Sequence, residues 1–177
     1  MSKCKLWHTF YFFLYVMNLN IRVGFGYDVH KFAEDRDLWL GGIKIPSDKG
    51  LLGHSDADVL IHAICDALLG AANLRDIGYH FPDNASEYKN IDSKILLEKT
   101  VALLEEKGYG IGNIDAVVSA QAPKLKPYIE EMKLVLAKIM KIDVDCVSIK
   151  ATTTEKLGFV GREEGMAAQV AVLIAKL

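Results

Sequence analysis

The sequence predicts an α/β sandwich in which a mixed β-sheet is covered by helices. Three observations carry that prediction. Stretches with the two-residue alternation of strands stand at both ends of the chain, IRVGFGYD and LWLGGIKI early, VDCVSIKATT and GMAAQVAVLIAKL late. Between them, long segments repeat their apolar residues at the spacing of helices. No internal repeat and no linker divides these segments, so residues 21–177 read as one domain, long enough to bury a substantial core.

In chain order, residues 21–28 are the first strand and residues 38–45 the second, joined by a charged loop containing EDRD. Gly41-Gly42 marks a bulge or a close backbone approach inside the second strand. From Ser55 the period changes. SDADVLIHAICDALLG has acidic residues in its first turn and apolar ones at Val59, Leu60, Ala63, Ile64, Ala67 and Leu68. It reads as a helix buried over much of its surface, with Ser55 as N-cap, Ser55 and Asp58 approximating a capping box, and Gly70 as the stop. NLRDIGYHFPDNASEY, with its Gly, Pro and Asn, reads as mostly loop. IDSKILLEKTVALLEEKG is an amphipathic helix with Gly108 at its C′ position. NIDAVVSAQ is a strand, PKLKPYIEEMKLVLAKIMK a helix with Pro127 near its start, and the two late alternating segments close the domain.

Composition excludes several classes of function. With 51% hydrophobic and 25% charged residues the chain is an ordinary globular protein, and a net charge of −2 without basic blocks argues against broad nucleic-acid binding. Cys4, Cys65 and Cys146 are odd in number and widely spaced, so they read as free thiols in a reducing, cytoplasmic compartment. The first twenty residues, MSKCKLWHTFYFFLYVMNLN, differ from the rest: two lysines precede an apolar run from Leu6 to Met17. The run lacks a small-x-small cleavage site and is too short to span a bilayer. Residues 1–20 therefore read as an extension, an over-called start with Met17 as a second one, outside the fold. A plastid-type location would follow only from a transit peptide there.

Chemistry concentrates in three places. GYDVHKF puts Asp28 and His30 two apart, hence on one face of a strand, as an ion pair, a catalytic pair or two metal ligands. Asp58, His62 and Asp66 follow at helical spacing along one stripe, and opposite that strand they would complete a set of imidazoles and carboxylates suited to a divalent transition metal. Read alone, each of these spacings fits a solvated polar pair equally well. His54 and Ser55 precede the helix start, where exposed amides receive anions, although a simple cap with a surface histidine accounts for them too. KATTTEKLGF sets Thr152, Thr153 and Thr154 before Glu155 and Lys156. Threonines suit a strand for their propensity alone, but hydroxyls and a carboxylate also suit phosphate and magnesium. Neither a Walker A sequence nor GxGxxG is present.

Taken together and in order, GYDVH, GLLGHSDADVLIHAICDALLGAA, RDIGYHFPD, SAQAPKLKPY and KATTTEKLGFVGR closely resemble the 2-C-methyl-D-erythritol 2,4-cyclodiphosphate synthase family, from about Ile21 to the C-terminus. The resemblance implies a homotrimer with active sites at its subunit interfaces. It implies conversion of 4-diphosphocytidyl-2-C-methyl-D-erythritol 2-phosphate to the cyclic diphosphate and CMP, in the non-mevalonate route to isoprenoid precursors. Asp28, His30 and His62 would bind a zinc-type ion, Asp28 and His30 also meeting substrate. Glu155 would hold a magnesium- or manganese-type ion between the phosphates. His54 and Ser55 would contact substrate, Asp76, Ile77 and Gly78 its methylerythritol part, and Phe81, Pro82 and Asp83 would form the adjoining loop. The cytidine pocket would come from Ala120, Gln121, Ala122, Pro123, Lys124, Leu125 and Lys126 with Ala151, Thr152, Thr153 and Thr154, supplied by the neighbouring subunit. His54 and Thr153 would stabilise the transition state.

Phe159, Arg162 and Glu164 would correspond to a cavity on the trimer axis that takes an isoprenoid diphosphate, near which Phe25 replaces a histidine frequent in the family. Asp66 would orient a ligand imidazole, and Asp58 favour the helix N-terminus. A phosphate monoester is already an anionic nucleophile, so the demand on the protein is positioning and charge neutralisation, not a base. A zinc hydrolase and a non-catalytic isoprenoid-binding protein are the rival readings.

Overall fold

The fold rests on one long strand whose two faces differ completely. In the computed structural model, which describes residues 20–177 except 83, 84, 86, 87 and 89, β1 (Ile21–Ala33) buries Gly24 and Gly26 and half-buries Asp28 and His30 on one face. The odd positions Ile21, Val23, Phe25, Tyr27 and Val29 line the other face and stay exposed. The expectations for residues 1–19, Cys4 among them, and for Asp83 lie outside the described residues.

β1 pairs antiparallel with β7 (Gly165–Lys176), which pairs antiparallel with β5 (Tyr109–Ser119); β6 (Val147–Thr152) then joins β5 in parallel. With the short β4 (Gly50–Leu51) on the far edge, the order β4-β1-β7-β5-β6 is a mixed sheet, as expected. α1 (Val59–Ala71) lies across β1 and β7, α3 (Ser93–Glu106) lies beside it, and α4 (Ile129–Met140) packs on α3 and β6. Leu60, Ile64, Leu68, Leu97, Leu104, Ile114 and Ile174 fill the layer between and are fully buried.

Why α1 sits so close to the sheet is written in β1. A Cβ on Gly24 would stand 1.9 Å from Ala67 O, and one on Gly26 1.9 Å from Ala63 O. The two glycines, meeting the small residues Ala63, Ala67 and Ala71, let helix backbone rest on strand backbone. α1 is consequently buried all round, and only His62, Asp66 and Gly70 escape burial, at i, i+4 and i+8.

Several expected boundaries move. LWLGGIKI is not one strand but a hairpin of β2 (Leu38–Leu40) and β3 (Ile43–Ile45). Gly41 and Gly42, at φ +60° and +79°, form its two-residue turn, a left-handed pair that matches hairpin twist. The first strand runs on to Ala33, because pairing with β7 and β4 continues past residue 28. Ser55 does not cap α1: Ala57 takes φ 60° and turns the chain, and Asp58 is the N-cap, its Oδ1 accepting from Ile61 N–H at 3.0 Å. Gly70 lies inside α1, which ends at Ala71, since burial of Ala71 and Ala72 outweighs the glycine signal. The segment after Asn73 contains a short helical turn, α2 (Ile77–His80), capped by Asp76. A 3₁₀ turn over Lys126–Tyr128 leads into α4, and another over Val144–Cys146, capped by Asp143, takes the start of the predicted VDCVSIKATT strand. Gly108, at φ +78°, terminates α3 as expected. A final turn, α5 (Gly158–Gly161), precedes β7. No helix of the described residues is long and apolar enough to cross a membrane.

A candidate metal centre and its ligand cleft

Three side chains from two elements meet at one point. Asp28 and His30 come from β1, on the face that the two glycines open to α1, and His62 comes from the unburied stripe of α1. Asp28 Oδ2 lies 3.0 Å from His30 Nε2 and 3.1 Å from His62 Nδ1, and the two imidazole nitrogens are 3.0 Å apart. Donors placed about 2.0–2.1 Å from a tetrahedral zinc ion stand roughly 3.3 Å from one another. The triangle is therefore close to one face of such a tetrahedron, its fourth vertex free for a ligand. Among the described residues it is the one group of three potential donors this tight.

The outer nitrogens of both rings are already engaged. His30 Nδ1 lies 3.0 Å from the carbonyl of Leu52, an acceptor only, so the Nδ1 proton is fixed there and the Nε2 lone pair is free. His62 Nε2 lies 3.1 Å from Ser55 Oγ and 3.0 Å from Ser93 Oγ. Burial opposes charge on Asp28, but the His30 and His62 rings, when both nitrogens are protonated, donate to it, and those hydrogen bonds with the ring charges outweigh burial and hold the carboxyl well below the usual carboxylate range. Burial likewise lowers the His62 imidazole, but the Asp28 hydrogen bond and the charges of Asp28, Asp58 and Asp56 together outweigh it and leave that pKa raised. The cluster thus favours a shared positive charge at its centre, and the donor set fits a divalent ion.

The triangle forms part of the wall of a cleft of about 270 Å³ lined also by His54, Ser55, Asp66, Ile77, Gly78 and Phe81. Asp66 Oδ1 accepts from Ile77 N–H at 2.8 Å, which ties α2 to α1 and sets Ile77 and Gly78 at the cleft. Burial raises the Asp66 carboxyl, against that hydrogen bond. The expectation that Asp66 orients a ligand imidazole gives way to this bond, because its stripe position carries it one turn beyond His62. His54 Nε2 is buried without a hydrogen-bond partner among the described residues, a polar atom facing a ligand cleft. Asp76 is exposed at the start of α2, and Pro82 is exposed beyond Phe81.

The residues expected at the cytidine and at a second metal lie together at the ends of β5 and β6. Ala120 N–H donates to Thr152 O at 2.9 Å, so 120–126 and 151–154 leave the ends of the adjacent parallel strands β5 and β6 together. Gln121 Oε1 is buried there without a partner among the described residues. Thr153 Oγ1 donates to Glu155 Oε1 at 3.0 Å, with Glu155 and Lys156 both in left-handed conformation. None of 120–126 or 151–155 lines the cleft of the triangle. Phe159 and Glu164 border a different hollow beside Val29 and Lys31, and Arg162 clasps Glu164 through two hydrogen bonds. Sequence reasoning missed Ser93, Asp56 and the Leu52 carbonyl, for which no local signal exists: each matters only through a contact made across the fold.

Fold and donor set together define an α/β protein equipped to hold a metal ion beside a ligand cleft. The model of the YgbB family matches residues 21–175, and the chain belongs to that family. It is 69% identical over 159 residues to the 2-C-methyl-D-erythritol 2,4-cyclodiphosphate synthase of Bacteroides fragilis, covering 90% of this chain and 100% of that protein. Among solved structures, the bifunctional IspDF from Campylobacter jejuni matches with a TM-score of 0.87 and 44% identity, over 90% of this chain and 43% of that one. The IspF of Plasmodium falciparum, solved as a CDP complex, matches with a TM-score of 0.78 and 36% identity, over 89% of this chain and 97% of that one.

Proposed function

We propose that this chain is a phosphorus–oxygen lyase that converts 4-diphosphocytidyl-2-C-methyl-D-erythritol 2-phosphate to 2-C-methyl-D-erythritol 2,4-cyclodiphosphate and CMP, a step toward isoprenoid precursors. The observation that carries the mechanism is the triangle of Asp28 Oδ2, His30 Nε2 and His62 Nδ1, open toward a cleft bordered by His54 and Ser55. An oxygen of the 2-phosphate attacks the β-phosphorus, the bond to the CMP oxygen breaks, and CMP leaves with the electron pair. No base is needed, because the nucleophile is already an anion.

Asp28, His30 and His62 hold a zinc-type ion in this reading, and Glu155 a magnesium- or manganese-type ion. When bound, such ions polarise the diphosphate and neutralise the charge that develops on it. The chain's own groups do the rest. Ile77 and Gly78, fixed by Asp66, face the methylerythritol portion together with Asp76. Phe81, Pro82 and Asp83 border it. His54 and Thr153 stabilise the transition state, and residues 120–126 with 151–154 receive the cytidine.

The separation of these two clusters within one chain supports a site built from two subunits. A cleft of about 270 Å³ falls just below the roughly 300–1,000 Å³ of common ligand sites, so a further wall is expected. The exposed stripe on β1, with Val23 73% and Phe25 67% accessible, supports a homotrimer that covers this face. Phe159, Arg162 and Glu164 then lie toward the axis, where an isoprenoid diphosphate would bind. Residues 21–177 act as one domain in a cytoplasmic enzyme.

Phosphorus NMR of the protein incubated with the cytidylyl substrate and divalent metal tests the assignment. Cyclic diphosphate with CMP is expected. An open-chain product would instead mark a hydrolase, and no change would mark a binding protein.

A further inference from the structure

Behind His62, on the side away from the cleft, a buried hydroxyl joins the imidazole to a carboxylate. Ser93 is the first residue of α3 and is fully buried. Its Oγ lies 3.0 Å from His62 Nε2 and donates to Asp56 Oδ1 in a short hydrogen bond. Asp56 Oδ2 accepts from Ser93 N–H at 3.0 Å, while Asp56 N–H donates to Ile91 O at 3.1 Å. The carboxylate thereby clamps the start of α3 against the loop that leads into α1. Neither Asp56 nor Ser93 lines the cleft.

A hydroxyl has one proton, and a carboxylate can only accept. Once Ser93 has given its proton to Asp56, it can only accept from His62. A hydrogen on Nε2 of the neutral ring satisfies that acceptor and leaves the Nδ1 lone pair at the centre of the triangle; the competing tautomer donates instead from Nδ1 to Asp28 Oδ2, 3.1 Å away. Ser55 also lies beside Nε2, but it lines the cleft, where a ligand can recruit its hydroxyl. Ser93 Oγ also lies 3.4 Å from Ser55 Oγ, a longer contact than its bond to Asp56.

We infer that Asp56 and Ser93 are a positioning pair that commits His62 to the Nε2-protonated tautomer and so keeps Nδ1 available as a metal donor. The inference rests on the metal reading of the site given above. In its logic the pair resembles other carboxylates that act on a metal through the far side of a histidine, with a serine hydroxyl interposed.

Asp56→Asn is the direct test. The single carbonyl of the new amide keeps the 3.0 Å bond from Ser93 N–H in preference to the 3.3 Å one from Asp58 N–H, so its NH₂ turns toward Ser93 Oγ and frees the serine proton to point at His62. Zinc affinity is measured on the full chain by competition with a chromophoric chelator. Ring protonation is read from nitrogen-15 spectra of the metal-free protein at alkaline pH. Asp56→Asn is expected to weaken zinc binding about 10–100-fold and to move the His62 proton toward Nδ1. Ser93→Ala should cost less, because Ser55 remains as an acceptor. Adding Asp56→Asn to Ser93→Ala should bring no further loss, since Asp56 acts through Ser93. Wild-type affinity with an unchanged Nε2–H in Asp56→Asn overturns the inference, as does a double variant whose loss is the product of the two single losses. The two readings fail separately: a wild-type protein that takes up no zinc overturns the metal assignment, and the ring spectra still decide the tautomer.

Discussion

His30 Nε2 and His62 Nδ1 face each other at 3.0 Å while the outer nitrogen of each ring is engaged elsewhere, by the Leu52 carbonyl and by the Ser55 and Ser93 hydroxyls. Two lone pairs so placed, with the Asp28 carboxylate beside them, repel unless a cation stands between. His62→Ala is therefore expected to abolish tight zinc binding and to lower kcat by more than the about 10–100-fold typical of losing a group that merely orients a ligand. Elemental analysis beside circular dichroism checks it. Full zinc stoichiometry in the folded variant would remove His62 from the ligand set.

Thr153 belongs to the other cluster, where its hydroxyl donates to Glu155. Thr153→Ala should slow turnover by about 10²–10³-fold, the usual effect of deleting one transition-state donor. Zinc content should stay at the wild-type level. Parallel loss of zinc and activity would show that Thr153 supports the metal centre instead.

Gly26→Ala tests how the centre is assembled. The added methyl would lie 1.9 Å from Ala63 O, which is backbone and cannot turn aside. Either α1 lifts from β1 or β1 bends, and both separate His62 from Asp28. Destabilisation of about 1–3 kcal/mol or more is expected, with weakened zinc binding. Denaturant unfolding at fixed protein concentration and chelator competition measure the two effects. An unchanged midpoint would mean that the glycines are not what sets the helix height.

Asp58 does two jobs with one carboxylate. Oδ1 accepts from Ile61 and Gly41 N–H at 3.0 and 2.9 Å, and Oδ2 accepts from Gly42 N–H at 2.7 Å, so the cap of α1 also holds the β2–β3 turn. Asparagine caps helices as well as aspartate does, yet its NH₂ would face the Gly42 donor. Asp58→Asn should therefore cost about 1–3 kcal/mol of stability, and Asp58→Ala more. Equal stability of wild type and Asp58→Asn would show that the turn does not depend on the second oxygen.

The exposed Lys150–Asp115 pair between β6 and β5 bounds what surface charge contributes. A hydrogen bond from Lys150 holds the Asp115 carboxyl below its ordinary value. A depressed carboxyl adds stability above its unfolded pKa, and loses it as pH falls through the folded one. Solvent screens the pair, so Asp115→Asn should cost less than about 1 kcal/mol at neutral pH and nothing in strong acid. Unfolding curves at both pH values, with and without added salt, check the size and the sign.

Much of this was legible along the chain. Alternation and helical periodicity record which side of an element is buried, and they located the principal strands and helices. Two-residue spacing put Asp28 and His30 on one face, and one-turn spacing put His62 and Asp66 on one stripe. Where local signals competed, the sequence pointed the wrong way. Ser55 looked like a cap, but the left-handed turn at Ala57 moved that role to Asp58. Gly41-Gly42 read as a bulge or a close backbone approach inside one strand, because alternation continues on both sides of it, and it is the turn of a hairpin.

The sequence alone determined the donor types and their local phase, since both follow from side-chain chemistry and backbone period. Only the tertiary structure decided that His62 reaches the strand pair, because that depends on how closely α1 can approach β1 above Gly24 and Gly26. It alone placed Ser93 behind His62, across 31 residues of chain, where the buried hydroxyl meets the imidazole, the Asp56 carboxylate and the Ser55 hydroxyl. Contacts of this kind have no period to read. They exist only where packing brings distant segments together.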